Sequence, residues 1–292
     1  MPLHALALVL LAALLHAAWN LGAKKAGGDH HFVLAGALAA ALLWLPLVAP
    51  AAWEMLPRWS ALAWTMALAS ALLHLVYFRT LLLGYRVSDL NIVYPVARGS
   101  GPAISALAAL ALLDEQLGLA GGLGLAAVIA GIVLMAAGPA LWKPGDAAAK
   151  RRRWLGILWG SATGLTIAGY TVADGYSVKV LQLSPLLLYY MSNLLLVPFG
   201  LPAVLRERAG FLPALRRQWP YVLMMAVLSP LAYVLVLYAL QLAPLSRVAP
   251  ARELSMLVAA LAGGKLLGEG ERGWRLVGAA LIAGGVIALS VV

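Results

Sequence analysis

The sequence predicts an all-α membrane protein of ten transmembrane helices, arranged as two five-helix repeats of opposite orientation. Three observations lead to this prediction. The chain of 292 residues is 63% hydrophobic and only 11% charged, whereas a soluble domain carries about 25% charged residues because its surface faces water. It contains ten apolar stretches close to the length of about 20 residues that a helix needs to cross the hydrocarbon core. Its two halves also resemble each other in sequence.

The ten apolar stretches define the predicted helices and divide the chain. Some connections are very short, such as residues 114–116, so neighbouring helices run antiparallel. The period-two alternation of a barrel strand is absent. The predicted spans are 3–22, 32–50, 61–85, 88–113, 118–138, 154–176, 184–204, 219–242, 245–268 and 273–291. They form an N-terminal repeat (1–142), a basic cytoplasmic linker (143–153) and a C-terminal repeat (154–292).

The basic residues predict the orientation in the membrane. Of the 21 lysines and arginines, 16 fall in loops on one side, and only Arg58, Lys179 and Arg247 fall on the other. Loops rich in lysine and arginine stay in the cytoplasm. We therefore expect both termini outside, which is the periplasmic side of a cell inner membrane, or the outer side of a plasma membrane.

Charge and cysteine content exclude several classes of function. The net charge of +10 is explained by the cytoplasmic loops, and no basic face with interleaved aromatic residues predicts nucleic acid binding. Without cysteine, disulfides and thiolate-ligated metals are excluded. We expect no cofactor, no metal site and no ATP-driven pump, because the sequence has neither a phosphate-binding loop nor a soluble domain. The first apolar stretch lacks a basic segment before it, so we interpret it as a retained helix.

The two halves repeat at a nearly constant offset. Residues 107–115 resemble residues 261–269 at an offset of 154, and the same offset relates Arg98 to Arg252. Trp19 corresponds to Tyr170 at an offset of 151, and Tyr77 to Tyr233 at 156. Since each half has an odd number of helices, the second must enter the membrane from the opposite side. Inverted repeats are typical of secondary transporters, whose substrate site lies near the midplane where the repeats meet.

Two motifs carry a resemblance to a known family, and this resemblance covers essentially the whole chain in two copies. Residues 15–20 (Leu-His-Ala-Ala-Trp-Asn), followed by Lys24 and Lys25, are similar to the opening of EamA-type members of the drug/metabolite transporter superfamily. Also similar are the acidic residues Glu115 and Glu269 at the ends of the fourth and ninth helices. The resemblance implies an exporter or exchanger of small metabolites, with a central cavity lined by both repeats. It does not fix the substrate.

Two arginines inside predicted helices are the main candidates for substrate binding. An arginine at a helix centre costs about 2.5–3.5 kcal/mol on insertion scales, so Arg98 and Arg252 need compensation. One interpretation is that both bind an acidic group of the substrate bidentately. The other is that they bind helix-end carbonyls and Glu253, and so lock the bundle. Glu253 could pair with Arg98 across the axis, or receive a substrate amine or a proton. Two arginines against one carboxylate leave a local charge of +1, which favours an anion or a zwitterion.

Polar and aromatic residues provide further candidates for the cavity wall. His16 and Trp19 lie three residues apart on one helix, as do His74 and Tyr77, so each pair shares a face. His16 is either a proton site or a histidine hydrogen-bonded between helices. Asp89 and Asp174 fall near helix ends, where we expect them to be solvated. The remaining wall candidates are Tyr94, Tyr170, Tyr189, Asn193 and Tyr233.

These patterns favour a secondary transporter, not an enzyme. We expect an exporter or exchanger of a small polar metabolite with an acidic group, such as an amino acid, an organic acid or a phosphate or phosphonate compound, working by alternating access. One alternative is the export of neutral or cationic drug-like compounds. Another is an intramembrane enzyme that acts on a lipid phosphate. A duplicated bundle completes its own site, so the expected partners are the substrate and the bilayer, and the expected state is a monomer.

Overall fold

The fold is all-helical throughout the part of the chain that the structure describes. A computed structural model describes residues 1–26, 30–88, 90–137, 146–206, 208–255 and 272–291. Within these ranges the helices are α1 (Leu3–Ala26), α2 (His30–Met55), a short 3₁₀ helix (Leu56–Arg58), α3 (Ala61–Val87), α4 (Leu90–Leu112), α5 (Leu119–Ala137), α6 (Ala147–Lys179), α7 (Pro185–Arg206), α8 (Arg208–Leu242), α9 (Leu245–Ala251) and α10 (Arg272–Val291).

Several of these helices have the length and composition of membrane spans. Within the described ranges, five segments meet both conditions: Leu3–Asn20, His31–Arg58, Ala61–Val87, Pro185–Arg206 and Leu215–Leu242. Two shorter apolar helices, Leu119–Leu134 and Leu276–Val291, accompany them. The chain is therefore a multi-pass helical membrane protein.

The sixth helix begins earlier than the sequence predicted. Residues 147–153, which we assigned to the basic linker, form the first two turns of α6. The cause is local: the side chain of Asp146 accepts a hydrogen bond from the Ala149 amide at 2.8 Å, and three alanines with high helix propensity follow. At 1.5 Å per residue, the 33 residues of α6 extend about 50 Å, which is longer than the membrane core.

The eighth helix is also longer than predicted at its start. It begins at Arg208 and not near residue 219. The extension packs against the end of α1, where Nε2 of Gln218 donates to the carbonyl oxygen of Ala26 at 2.9 Å. The last carbonyls of a helix lack partners within the helix, so this contact stabilises the junction between α1 and α8.

The ninth helix, which we predicted as one continuous span over 245–268, is interrupted at residues 252–253. Helix α9 ends at Ala251, and residues 252–253 form a turn. Pro250 has no amide hydrogen to donate. After Pro250, backbone amides donate to carbonyl oxygens three residues earlier, as in a 3₁₀ helix. The Glu253 amide donates to the Pro250 carbonyl at 3.0 Å, and the Ser255 amide donates to the Arg252 carbonyl at 3.1 Å. Arg252 and Glu253 therefore lie at a helix break; residues 256–271, which include Glu269, lie outside the described residues.

Both termini and three loops meet at one end of the bundle. The terminal ammonium of Met1 donates to the carbonyl oxygen of Ser290 at 2.6 Å. At the same end, Glu115 accepts from Lys179 at 2.9 Å and from the amides of Leu245 and Ser246 at 2.7 and 2.8 Å. Although burial raises the pKa of the Glu115 carboxyl, the hydrogen bonds from Ser246, Lys179 and Leu245 outweigh it and hold that pKa below its ordinary value.

Helices α5 and α10 pack against each other at two close contacts between glycine residues. A Cβ on Gly124 would lie 2.8 Å from the carbonyl oxygen of Gly285, and one on Gly131 would lie 2.6 Å from that of Gly278. Residue numbers rise along one helix as they fall along the other, so α5 and α10 run antiparallel. Small residues at such crossings let backbones approach closely.

Candidate functional site

A cavity of about 190 Å³ lies between the two halves of the chain. Helices α1 to α4 line it from the first half, and α6, α7, α8 and Arg252 line it from the second. The largest cluster of buried apolar residues includes Ala5, Val9, Leu240 and Leu289, which lie close to the end that carries the termini. The lining residues of α1, such as His16 and Trp19, come later along the helix. The apolar core therefore covers the cavity towards the end with the termini.

Most of the predicted site residues line this one cavity. The exception is Glu253, which lies beside Arg98 and does not line the cavity. The residues brought together at its wall are His16, Trp19, His74, Tyr77, Tyr94, Arg98, Tyr170, Tyr189, Asn193, Tyr233 and Arg252.

Arg98 is held by contacts with the segment that follows α9. Its Nε lies 2.9 Å from Oε2 of Glu253, and its Nη2 donates to Oγ of Ser255 at 3.2 Å. Only 10% of the arginine side chain and 4% of the glutamate side chain are exposed. Of the alternatives left open for Glu253, the structure shows the ion pair with Arg98. The charge of Arg98 is compensated within the protein, which offsets part of the cost of burying both ions.

Arg252 has a different environment from Arg98. Its guanidinium carbon lies 5.4 Å from the ring centroid of Tyr233, a distance suited to a cation–π interaction. Among the described residues no carboxylate lies within ion-pair distance of Arg252. Since its side chain lines the cavity, Arg252 can bind an anionic group there.

The prediction that Asp174 is solvated is wrong. Only 1% of the residue is exposed, and it lines the cavity. Helix α9 packs closely against the end of α6: a Cβ built on Gly175 would lie only 2.5 Å from Cδ1 of Leu245. This packing covers the end of α6. Asp174 comes only five residues before the basic Lys179, a position that is typical of a solvated helix end. The usable signal was its spacing of four from Tyr170, which places both on one face of the helix. Asp89, of which we expected the same, lies outside the described residues.

One oxygen of Asp174 is bonded and the other is not. Its Oδ2 accepts from the hydroxyl of Tyr233 at 2.6 Å. Its Oδ1 is buried and has no hydrogen-bond donor in the described part of the chain. Counting Asp174 with Glu253 against the two arginines, the charges of the site balance. The local charge of +1 expected from the sequence is corrected to about zero.

Aromatic rings surround the space between these charges. The rings of His74 and Tyr170 stack at 4.0 Å, and Tyr233 meets His74 edge-on at 5.8 Å. The ring centroids of Tyr189 and Tyr233 are 5.9 Å apart, and those of Tyr77 and Tyr170 are 6.1 Å apart. Nδ1 of His74 is 2.8 Å from the carbonyl oxygen of Ser70. A carbonyl only accepts, so this nitrogen carries a proton.

His16 and Asn193 make hydrogen bonds that fix the wall. The indole nitrogen of Trp19 donates to Nδ1 of His16 at 3.2 Å, so that nitrogen acts as an acceptor. The predicted pairing of His16 and Trp19 on one helix face is confirmed, and the bond lies within α1, not between helices. Nδ2 of Asn193 donates to the carbonyl oxygen of Ala37 at 3.1 Å and joins α7 to α2.

Comparisons with known proteins agree with this architecture. Residues 154–291 match the model of the EamA-like transporter family. No curated protein matches the chain. A solved crystal structure is similar over 98% of this chain and 96% of its own, with a TM-score of 0.70 and 18% sequence identity, which shows a shared fold alone. The match over the second half of the chain confirms the resemblance of the protein to EamA-type transporters of the drug/metabolite transporter superfamily.

Proposed function

We propose that this protein is a secondary transporter, an exporter or exchanger of a small polar metabolite that carries an acidic group. Amino acids, organic acids and phosphate or phosphonate compounds belong to this class. The observation that carries the proposal is Arg252, a cation at the cavity wall with no ion-pair partner among the described residues. An acidic group of the substrate would compensate its charge by charge-assisted hydrogen bonds.

The packing of the helices supports ten spans in two inverted repeats. The third helix of each half packs against the first helix of the other half: α3 contacts α6, and α8 contacts α1. The contacts of Gly124 with Gly285 and of Gly131 with Gly278 exchange under the sequence offset of 154. Antiparallel α5 and α10 are what opposite orientations of the halves require. Alternating access then follows from the rocking of one repeat against the other around the site.

The distribution of basic residues supports the orientation and the location. The loops that share an end with the termini carry few basic residues, and the opposite loops carry most of them. In an inner or plasma membrane the end with the termini faces outside. The apolar core covers the cavity on that side, so a substrate reaches the site from the cytoplasm in this conformation. The carrier works as a monomer, since both halves of its site come from one chain.

One observation favours a second class of substrate. Asp174 and the surrounding tyrosines would also suit a cationic drug-like compound, because aromatic faces and a carboxylate attract cations. The two classes differ in which charged residue they require. Export of an acidic compound requires Arg252, whereas export of a purely cationic compound requires Asp174 and tolerates loss of Arg252. An enzyme that acts on a lipid phosphate would instead alter its ligand, and a carrier returns it intact.

The test is ligand-induced thermal stabilisation of purified protein, since a true ligand raises the melting temperature by mass action. A panel of carboxylates, phosphates, phosphonates, amino acids and lipophilic cations is added to wild type and to Arg252→Gln. The matched control is Arg58→Gln, because Arg58 is exposed at the loop and pairs only with Glu54 among the described residues. We expect acidic compounds to stabilise wild type and the control but not Arg252→Gln. Stabilisation by lipophilic cations alone would contradict the proposal.

A further inference from the structure

Asp174 has no role in a site that binds only an acidic group. It is a buried carboxylate at the cavity wall, and its Oδ1 lacks a hydrogen-bond donor in the described part of the chain. Leaving a buried polar atom without a partner is costly, and native proteins rarely do so without a functional reason. An anionic substrate would increase the repulsion at this carboxylate. A protonated amine of a ligand would supply the donor that Oδ1 lacks.

The residues around Asp174 leave room for a cationic donor. From α8, the hydroxyl of Tyr233 already donates to Oδ2 at 2.6 Å. From α3, the Nδ1 proton of His74 is used by the carbonyl of Ser70, and the hydroxyl of Ser70 is a neutral donor beside the carboxyl group. No lysine or arginine of the described chain forms an ion pair with Asp174. Among the described residues, Asp174 therefore has neutral donors beside it but no direct ion pair.

Tyr233 links this carboxylate to Arg252. Its hydroxyl binds Asp174 and its ring lies 5.4 Å from the guanidinium carbon of Arg252. Tyr233 therefore contacts both Asp174, whose Oδ1 has no donor among the described residues, and Arg252, which has no ion pair among them. Both groups lie at the wall of the cavity. The stacked rings of His74 and Tyr170 lie beside them, and such π faces favour a protonated amine over an anion.

We propose that the transported compound is a zwitterion, whose protonated amine binds Oδ1 of Asp174 while its acidic group binds Arg252. This inference rests on the proposed function and narrows it to compounds that carry both groups on one small scaffold. With both groups bound, each charged side chain of the site has a partner of opposite charge. An acid without an amine would leave Asp174 unpaired, and an amine without an acid would leave Arg252 unpaired.

The experiment compares compounds that differ only in these two groups. Purified full-length protein is titrated with three matched sets, and dissociation constants are measured. The first set is leucine, 4-methylpentanoate and 3-methylbutylamine; the second is phenylalanine, 3-phenylpropanoate and 2-phenylethylamine. The third is 2-aminoethylphosphonate, ethylphosphonate and ethylamine. In at least one set, we expect wild type to bind the zwitterion at least tenfold more tightly than either relative.

Variants assign the preference to Asp174. In Asp174→Asn, the zwitterion should bind no more tightly than the acid, and the acid should bind at least as tightly as it binds wild type, because the repelling carboxylate is gone. Asp114→Asn is the matched control, since Asp114 is exposed in the loop after α4, and it should retain the full preference. Tyr233→Phe, which removes the donor to Oδ2 but keeps the ring, should lower the preference for the zwitterion selectively. The wild-type comparison decides the matter even if Asp174→Asn does not fold.

The other outcomes would contradict either the amine site at Asp174 or the proposed function as well. If wild type binds acid and zwitterion equally, the amine site is wrong while the proposed function stands. If Asp174→Asn keeps the wild-type preference, Asp174 does not bind the amine. If the amine binds as tightly as the zwitterion and Arg252→Gln has no effect, the proposed function fails as well. If no compound of any set binds to the folded protein, both proposals fail.

Discussion

Arg98 and Arg252 are related by the sequence offset of 154 between the two halves, yet their surroundings differ. Arg98 lies within the continuous helix α4 and pairs with Glu253 at 2.9 Å. Arg252 lies at the break after α9 and faces the ring of Tyr233. One arginine thus holds the halves together, and the other has charge to offer a ligand. Two arginines matched in sequence can therefore differ in role, because local contacts determine which of them is already paired.

The largest expected effect comes from breaking the pair at Arg98. In Arg98→Ala, Glu253 remains buried without its partner, and losing one member of a buried pair costs about 3–5 kcal/mol. The free energy of unfolding, measured in detergent with denaturant, should fall by that amount. The double variant Arg98→Leu with Glu253→Leu removes both charges and should recover most of the loss. Equal instability of the single and double variants would show that the pair is not what holds Arg98.

Arg252→Gln should alter function more than stability. Losing charge-assisted hydrogen bonds to an acidic ligand costs about 1.5–3 kcal/mol, which corresponds to a loss in affinity of about tenfold or more. Uptake of an acidic substrate into proteoliposomes at low substrate concentration should fall accordingly. The unliganded melting temperature should stay close to that of Arg58→Gln. A variant that transports normally would remove Arg252 from the site.

The contact between α5 and α10 differs from the arginine pair, because its two matched glycines, Gly131 and Gly285, have similar surroundings. Gly131→Ala and Gly285→Ala each place a Cβ within 2.6 Å of a backbone oxygen. Overpacking of this kind costs about 1–3 kcal/mol, and symmetry predicts similar losses of unfolding free energy at both positions. Gly122→Ala and Gly284→Ala are the controls, because a Cβ there meets no described atom within 4 Å. Unequal losses at Gly131 and Gly285 would indicate that the halves are not equivalent here.

The smallest effect is expected at Glu115, a charge that is paired outside the membrane. Its carboxylate accepts from Lys179 and from the first amides of α9, so Glu115→Gln should cost about 1 kcal/mol at neutral pH. Its pKa is lowered by folding, so this stability is present above the ordinary glutamate pKa and lost as pH falls through the folded pKa. Melting temperatures of wild type and Glu115→Gln should therefore converge in acid. A difference independent of pH would contradict the assigned charge.

The sequence was sufficient for the class of the fold and for most of the cavity wall. Apolar length identifies membrane helices regardless of their partners, and the matched Arg98 and Arg252 follow from the repeat offset. Asp174 was missed because its burial depends on α9 covering the end of α6, a contact between segments about 70 residues apart. The break at Arg252 was missed because apolar length does not record how a backbone bonds around Pro250. Contacts across the chain, and not local patterns, determine these features.

The most direct test of unequal roles compares Arg98→Gln with Arg252→Gln in one set of thermal melts. Each variant is melted without ligand and with the acidic compound that most stabilises wild type. We expect Arg98→Gln to lower the unliganded melting temperature, and Arg252→Gln to keep that temperature but lose the shift caused by the ligand. If both variants lose the same amount of stability and retain the ligand shift, the two arginines have one structural role and Arg252 is not the anion site.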